Sequence, residues 1–393
     1  MPSICFYFEV HQPMRLNKFS VFNIGNNNSH NSYFDNHLNK NIFLKVAKKC
    51  YLPTNNILLD LIRKFDGKFR ISFSLTGTFV EFCEQHIPEV IDSFKELFKT
   101  GAVDMIEETY YHSLSSLYDD MDEFEDQVKM HNQMIKRLFN YKPRVFRNTE
   151  AIYDNRIAKK VAEMGYKGII TEGTEKILQW RSSNFLYKPI NADLKVLLRN
   201  YTLSDDVGFR FSAKLWPGHP LTADKYANWM SKTQGELINL FMDYETFGEH
   251  HWTETGIFEF LKHFPEEALK HDHLDFVTVS EAIERYDTVG EIDVPWAISW
   301  ADADRDVSTW LGNDMQIACF NELKNIGKQV KNKGDKDMIN TWRRLQTSDH
   351  LYYVSTKGME DGDVHKYFSP YDGPYDGFIN YMNILQDFKH KLY

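Results

Sequence analysis

Short apolar runs alternate with longer amphipathic ones along most of this chain, and that alternation constrains the fold more than any other feature. Strand-length segments separated by helix-length ones are the pattern of parallel strands joined by helices. The strand candidates are Ile4–Val10, Phe69–Leu75, Val103–Ile106, Arg144–Arg147, Gly168–Thr171, Lys195–Arg199, Leu237–Met242 and Phe276–Val279. Helical periodicity fills the intervals at Asn56–Phe65, Glu89–Phe98, Met121–Phe139, Asn155–Met164, Ala223–Thr233 and Glu254–His263. Seven or eight such units suffice to close a β/α barrel, and 393 residues leave room for an extension.

The strand pattern fades after about residue 290, and amphipathic stretches follow near Thr309–Val330, Asp337–Thr347 and Tyr375–Phe388. The expected organisation is therefore a barrel over residues 1–290 and a helical bundle or cap over residues 291–393. Asn332 to Asp337 reads as a solvated turn between two bundle helices, and the Asn-rich stretch from Gly25 to Asn41 as an exposed loop on the site side of the barrel.

In a β/α barrel the functional site is built at the C-terminal ends of the strands. Those positions are polar here. The first strand leads into Glu9 and His11-Gln12-Pro13, the third into Glu107-Glu108-Thr109-Tyr110-Tyr111-His112, and the fourth into Asn148-Thr149-Glu150. The fifth ends at Thr171-Glu172-Gly173, the sixth leads to Asp205-Asp206, and the seventh to Asp243-Tyr244-Glu245. Closing the strands side by side gathers these carboxylates and imidazoles at one mouth.

A formal net charge of −10 argues against a nucleic-acid backbone as partner, since that needs clustered cations, and leaves a neutral polymer acceptable. The 21 Tyr, 29 Phe and 8 Trp supply faces on which sugar rings stack, although most must serve the core. Cys5, Cys50, Cys83 and Cys319 lie far apart without metal-type spacing, which predicts free buried thiols and a reducing, cytoplasmic setting. No apolar run has the length of a membrane span.

Two strand-end carboxyls on different strands meet the need of a retaining glycosidase, in which one attacks the anomeric carbon and the other protonates the leaving oxygen from roughly 5–5.5 Å away. Glu150 and Asp243 fit that description. Arg147 precedes Glu150 and favours its ionised form, whereas Phe241, Met242 and Tyr244 favour a raised pKa at Asp243 through desolvation. The competing reading of either residue is a structural ion pair. A zinc site is the alternative chemistry, with His250-His251 and His271-Asp272-His273 as the tight clusters, but both read better as surface features, so no metal or other cofactor is expected. Asp302, Asp304 and Asp306 alternate without the glycine and terminal glutamate of a calcium loop.

His11-Gln12-Pro13, the Tyr110-Tyr111-His112 segment, Arg147-Asn148-Thr149-Glu150, Asp243-Tyr244-Glu245-Thr246-Phe247-Gly248 and Ser299-Trp300-Ala301-Asp302 through Trp310-Leu311-Gly312-Asn313 resemble, in this order, the five sequence regions of glycoside hydrolase family 57, closest to its α-amylase-like branch. The resemblance covers nearly the whole chain. It implies a distorted (β/α)7 barrel followed by a helical bundle, with one of the eight strands outside the barrel. It also implies a retaining mechanism with Glu150 as nucleophile and Asp243 as general acid/base. His11, His112, Glu245, Trp300 and Asp306 become the candidate substrate-binding residues, Glu245 because an extended segment would turn it to the same face as Asp243. The implied substrate is an α-glucan polysaccharide or a maltooligosaccharide, with no nucleic-acid or membrane partner. A 4-α-glucanotransferase using the same pair and a non-catalytic glucan-binding homologue are the rival readings.

Overall fold

Every residue of the first strand, Ser3–Val10 (β1), is buried. Such a strand is covered by helices on one face and by a filled barrel interior on the other. The computed structural model describes residues 2–26, 33–357 and 369–393, and all eight expected strands are present in it. The remaining seven are Ile71–Leu75 (β2), Val103–Met105 (β3), Val145–Arg147 (β4), Gly168–Glu172 (β5), Lys195–Arg199 (β7), Leu237–Asp243 (β8) and Asp275–Val277 (β9). Two further strands, Leu186–Pro189 (β6) and Thr288–Ile292 (β10), were not expected. Their sequences lack an apolar run: β6 carries Lys188 and Pro189, and β10 is largely exposed around Gly290.

The parallel order β8-β1-β2-β3 continues through a bridge between Glu107 and Phe146 into β4, β5 and β7. Side chains help to close the circle. The Asn239 side-chain amide on β8 donates to the Leu198 carbonyl at 2.8 Å, and the Asn239 backbone carbonyl accepts from the Asn200 N–H at 2.9 Å. The result is a distorted barrel of seven strands. The distortion has two sources. β9 pairs with Ser3 to Cys5 of β1 on the edge that β2 takes over from Tyr7 onward, and antiparallel β6 takes Val196 near the start of β7. The eighth expected strand is thus an insert at the base.

Strand alternation fills the interior in layers. Cys5, Tyr7, Ile106, Val145, Ile170, Leu197 and Phe241 belong to one buried apolar cluster. Two residues further along the same faces stand Glu9, Glu108, Arg147, Glu172, Arg199 and Asp243. The barrel core therefore changes from apolar to charged in one residue layer. Below it, helix Val279–Arg285 closes the base: Val279, Ala282 and Ile283 join the apolar cluster, and the Val279 N–H donates to Ser72 Oγ at 2.9 Å.

The outer helices lie where periodicity put them, as at Glu89–Lys99, Asp122–Phe139 and Asn155–Glu163, the last capped by Asp154 accepting from the Ile157 N–H. The Gly25 to Asn41 loop is corrected in part. Asp35 caps a helix over Asn36–Val46, and Asn39 is buried because its amide pairs with the Arg15 backbone in both directions, at 2.8 and 3.0 Å. Residues 27–32, with Asn27 and Asn28, lie outside the described residues.

Beyond β10 the described chain is helical, over Ser308–Leu311, Asp314–Lys333, Lys336–Leu345, Ser348–Tyr352 and Pro374–His390. Gly334 ends the longest of these in the left-handed region, φ 71°, and Asp335 caps the next. The four cysteines are free and buried. No described helix is long and apolar enough to cross a membrane.

Candidate active site

The charged layer above the apolar barrel core is the start of the site. Glu9 on β1 and Asp243 on β8 are direct register partners. Arg147 on β4 reaches across and pairs with both oxygens of Glu9. A guanidinium matches a carboxylate in this fork geometry, so Glu9 is held in place beside Asp243.

His112 follows β3 in a left-handed turn, φ 51°. Its Nδ1 lies 3.1 Å from Glu9 Oε1 and 3.6 Å from Glu108 Oε2, and its Nε2 lies 3.2 Å from Glu150 Oε1. Both nitrogens face carboxylates, which accept only, so both must carry protons. Burial opposes that charge, but Glu9 and the hydrogen bonds to Glu108 and Glu150 outweigh it and raise the pKa well above the ordinary value. The His11 ring stacks on His112 with centroids 4.0 Å apart. Its Nε2 lies 3.0 Å from Asp349 Oδ2 and its Nδ1 3.0 Å from Thr76 Oγ1. A neutral ring that donates to Asp349 and accepts from Thr76 satisfies both, and burial together with the His112 charge lowers the His11 pKa accordingly.

Glu150 sits in the short turn Thr149–Ala151 after β4, with Glu150 and Ala151 both at positive φ, 56° and 52°. Such backbone costs about 1 kcal/mol or more per residue and turns the side chain inward over the barrel. Its Oε1 accepts from His112 and from Ser348 Oγ at 3.0 Å, and its Oε2 from Trp300 Nε1 at 2.9 Å. Burial pushes its pKa up, but His112, Arg147 and the Trp300 N–H together bring it below the usual carboxylate value.

Asp243 has the opposite environment. Among the described residues its carboxyl has no hydrogen-bond partner, and burial followed by the charges of Glu9 and Glu150 pushes its pKa up to about 7. Glu245 does not lie on an extended segment, because Tyr244–Thr246 forms a tight turn. It is buried, accepts from Tyr51 Oη at 2.5 Å, and is pushed up to about 8 by burial and by the Asp243 charge.

The other expected residues are dispersed. Trp300 lies against the cluster, with the Arg147 guanidinium 4.7 Å from its ring centre, whereas Trp310 is core and Trp296 is exposed. One oxygen of Asp306 accepts from the Ser308 N–H at 2.8 Å just ahead of helix Ser308–Leu311, and among the described contacts of Asp306 none reaches the imidazole-carboxylate cluster. Asp302 and Asp304 pair with Lys357 at 2.8 and 2.6 Å. Of the histidines weighed as zinc ligands, His251 lies 2.7 Å from Ser212 Oγ and 3.2 Å from the Gly208 carbonyl, and His273 lies 3.0 Å from the Ser231 carbonyl.

A different trio, Glu9, Glu108 and His112, offers ligand atoms within 4.8 Å of one another. Arg147 on both Glu9 oxygens and the charged His112 put two positive charges at that spot, which disfavours a divalent ion there. Sequence reading missed Tyr51, Ser348 and Asp349. Each lies on or beside a helix whose local pattern says only that one face is buried, and nothing local marks which barrel residue it will meet.

Three comparisons bear on identity. A family profile described as "Glycosyl hydrolase family 57" matches residues 5–295. A Methanocaldococcus jannaschii protein named "Putative alpha-amylase" is 53% identical, over 99% of this chain and 84% of its own. An alpha-amylase of Pyrococcus horikoshii is 21% identical over 76% of this chain but only 43% of its own length, so the chain spans less than half of that relative. Among solved structures, a GH57 branching enzyme from Thermococcus kodakaraensis superposes with a TM-score of 0.67 at 13% identity, covering 93% of this chain and 87% of that one, a likeness of fold. With the profile spanning most of the chain and a relative sharing half its residues end to end, this protein belongs to glycosyl hydrolase family 57.

Proposed function

We propose that this chain cleaves α-1,4-glucosidic bonds of starch- or glycogen-type glucans or maltooligosaccharides with retention, using Glu150 as nucleophile and Asp243 as general acid and base. The observation that carries this reading is the opposed protonation of the two carboxyls. Glu150 is held ionised by His112, Arg147 and Trp300, and Asp243 keeps a proton up to about pH 7. The alpha-amylase names of the relatives supply the substrate class.

In the first step Glu150 attacks the anomeric carbon while Asp243 gives its proton to the departing oxygen. Forming the ester removes the Glu150 charge, one of the two that raise Asp243. Asp243 then becomes more acidic, and its carboxylate takes a proton from the water that breaks the ester. His11, Glu245, Trp300 and Asp306 are assigned to the sugar. His112 is assigned to it through Glu150, since both of its nitrogens already face carboxylates. We further divide the chain into a barrel over 1–290 and a bundle over 291–393 that lends Trp300 and Ser348 to the cleft.

Glu150→Gln and Asp243→Asn are each expected to lower glucan cleavage by on the order of 10²–10⁴-fold. Activity nearly unchanged in either variant would remove that residue from its role. Maltoheptaose products separate the acceptors: shorter chains only, with a gain in reducing ends, mean hydrolysis, and a ladder reaching longer chains means glucan transfer.

A further inference from the structure

The charged barrel layer contains a second group that the proposed chemistry does not use. Glu172 on β5, Arg199 on β7, Asp205 on the following helix Tyr201–Gly208, and Arg305 from the segment after β10 form a closed ring of pairs. Arg199 lies 3.1 Å from Glu172 and 2.5 Å from Asp205, and Arg305 lies 3.2 Å from each of the same two acids. Two cations and two anions balance. Glu172 is fully buried and Arg199 nearly so, which makes breaking the ring costly.

Both arginines also hold Trp300. Arg305 Nη1 donates to the Trp300 carbonyl at 2.5 Å, and the Arg199 guanidinium lies 5.7 Å from the Trp300 ring centre. The segment between Trp300 and Arg305 is bent into a conformation that L-residues disfavour, with φ 44° at Asp302 and 50° at Arg305. It persists because its ends are tied, Arg305 to the barrel ring and Asp302 to Lys357 and Thr309. What this posture delivers is the indole N–H, 2.9 Å from Glu150 Oε2.

We propose that Arg305, anchored by Glu172, Asp205 and Arg199, is a positioning residue that aims the Trp300 indole N–H at Glu150 and so helps to keep Glu150 ionised. The inference rests on the assignment of Glu150 as nucleophile. It gives the segment after β10 a defined role, that of carrying a hydrogen-bond donor to a barrel carboxylate while the ring fixes its register. The charged groups that face Glu150 are His112, Arg147 and Asp243, with Ser348 as the other donor, and Arg305 touches none of them. Apart from the through-space effect of its charge, which Arg305→Lys preserves, the contact route from Arg305 to Glu150 runs through Trp300.

A double-mutant cycle read by pH profile tests this. Trp300→Phe removes the N–H and is expected to move the acid limb of kcat/KM upward by about 0.5–1 pH. Arg305→Met in the parent is expected to produce a shift of the same direction and similar size, and none in the Trp300→Phe background. Arg305→Lys, which keeps the charge and one donor, is expected to fall between, and it carries the same comparison should the Met variant not fold. A fall in kcat/KM with no movement of the acid limb overturns the proposal. So does a shift that adds in full to that of Trp300→Phe. Undiminished cleavage by Glu150→Gln fails the nucleophile assignment instead, whatever the cycle gives.

Discussion

At the scale of single residues, position two along a strand decides whether a side chain is core or chemistry. Tyr7 and Phe241 pack inside the barrel, and Glu9 and Asp243, on the same faces one layer up, meet as register partners. For Asp243 and Glu150, burial pushes both carboxyls toward the protonated form, and the neighbouring charges then separate them. At Asp243 the charges of Glu9 and Glu150 add to the effect of burial and its pKa rises; at Glu150 His112 and Arg147 overcome burial and its pKa falls. The kcat/KM profile is expected to lose activity on the basic side near about pH 7, where Asp243 gives up its proton. Glu9→Gln removes one of the anions that oppose that ionisation, so the basic limb should move to lower pH, by about 0.5–1. Glu9→Asp, which keeps the charge, should leave the limb near its parent position. A basic limb that stays in place in Glu9→Gln would show that Glu9 does not set the acidity of Asp243.

At the scale of elements, amphipathic periodicity located the helices because a buried stripe leaves a direct mark on sequence. The bundle illustrates how closely such helices pack. Gly327 in helix Asp314–Lys333 lies under Trp342 of Lys336–Leu345, and a β-carbon there would stand 2.2 Å from the indole ring. The Trp342 Nε1–H meanwhile donates to the Leu323 carbonyl, so the ring is not free to swing away. Gly327→Ala is expected to cost about 1–3 kcal/mol, read as a lower midpoint of thermal unfolding, with kcat/KM at moderate temperature within about twofold of the parent. An unchanged midpoint would mean that the two helices separate more easily than their packing implies. The strands β6 and β10 escaped sequence reading because each is short and partly polar, and β6 is held by strand pairing with β7 rather than by an apolar run.

At the scale of the whole molecule, the helical segment around Ser348 packs against the strand ends that carry His11, His112 and Glu150. The Ser348 N–H donates to the His112 carbonyl at 2.9 Å and Thr347 Oγ1 to the Tyr111 carbonyl at 3.1 Å, so the turn bearing His112 is fixed by that segment. The same segment sends Ser348 Oγ to Glu150 and Asp349 to His11. The charge balance of this junction bears on metal chemistry. With Arg147 and charged His112 already set among Glu9, Glu108 and Glu150, prolonged chelation followed by gel filtration is expected to leave kcat/KM within about twofold of its starting value. A loss restored by added divalent ion would place a metal on Glu9, Glu108 and His112.

The sequence by itself determined the β/α alternation, the polar strand ends and the helical end region, because hydrophobic period and strand-end polarity are local properties of a chain. It also pointed to Glu150 and Asp243, and to Arg147 as the cation beside the first. Only the tertiary structure decided that Arg147 is tied to Glu9, that His112 serves carboxylates on both sides, that Asp306 accepts from the Ser308 N–H, that Ser348 reaches Glu150 and Asp349 reaches His11, and that Arg305 holds the Trp300 carbonyl. Those relations join residues up to 338 positions apart. They depend on which elements come to rest against one another, and no periodicity within a single element encodes that.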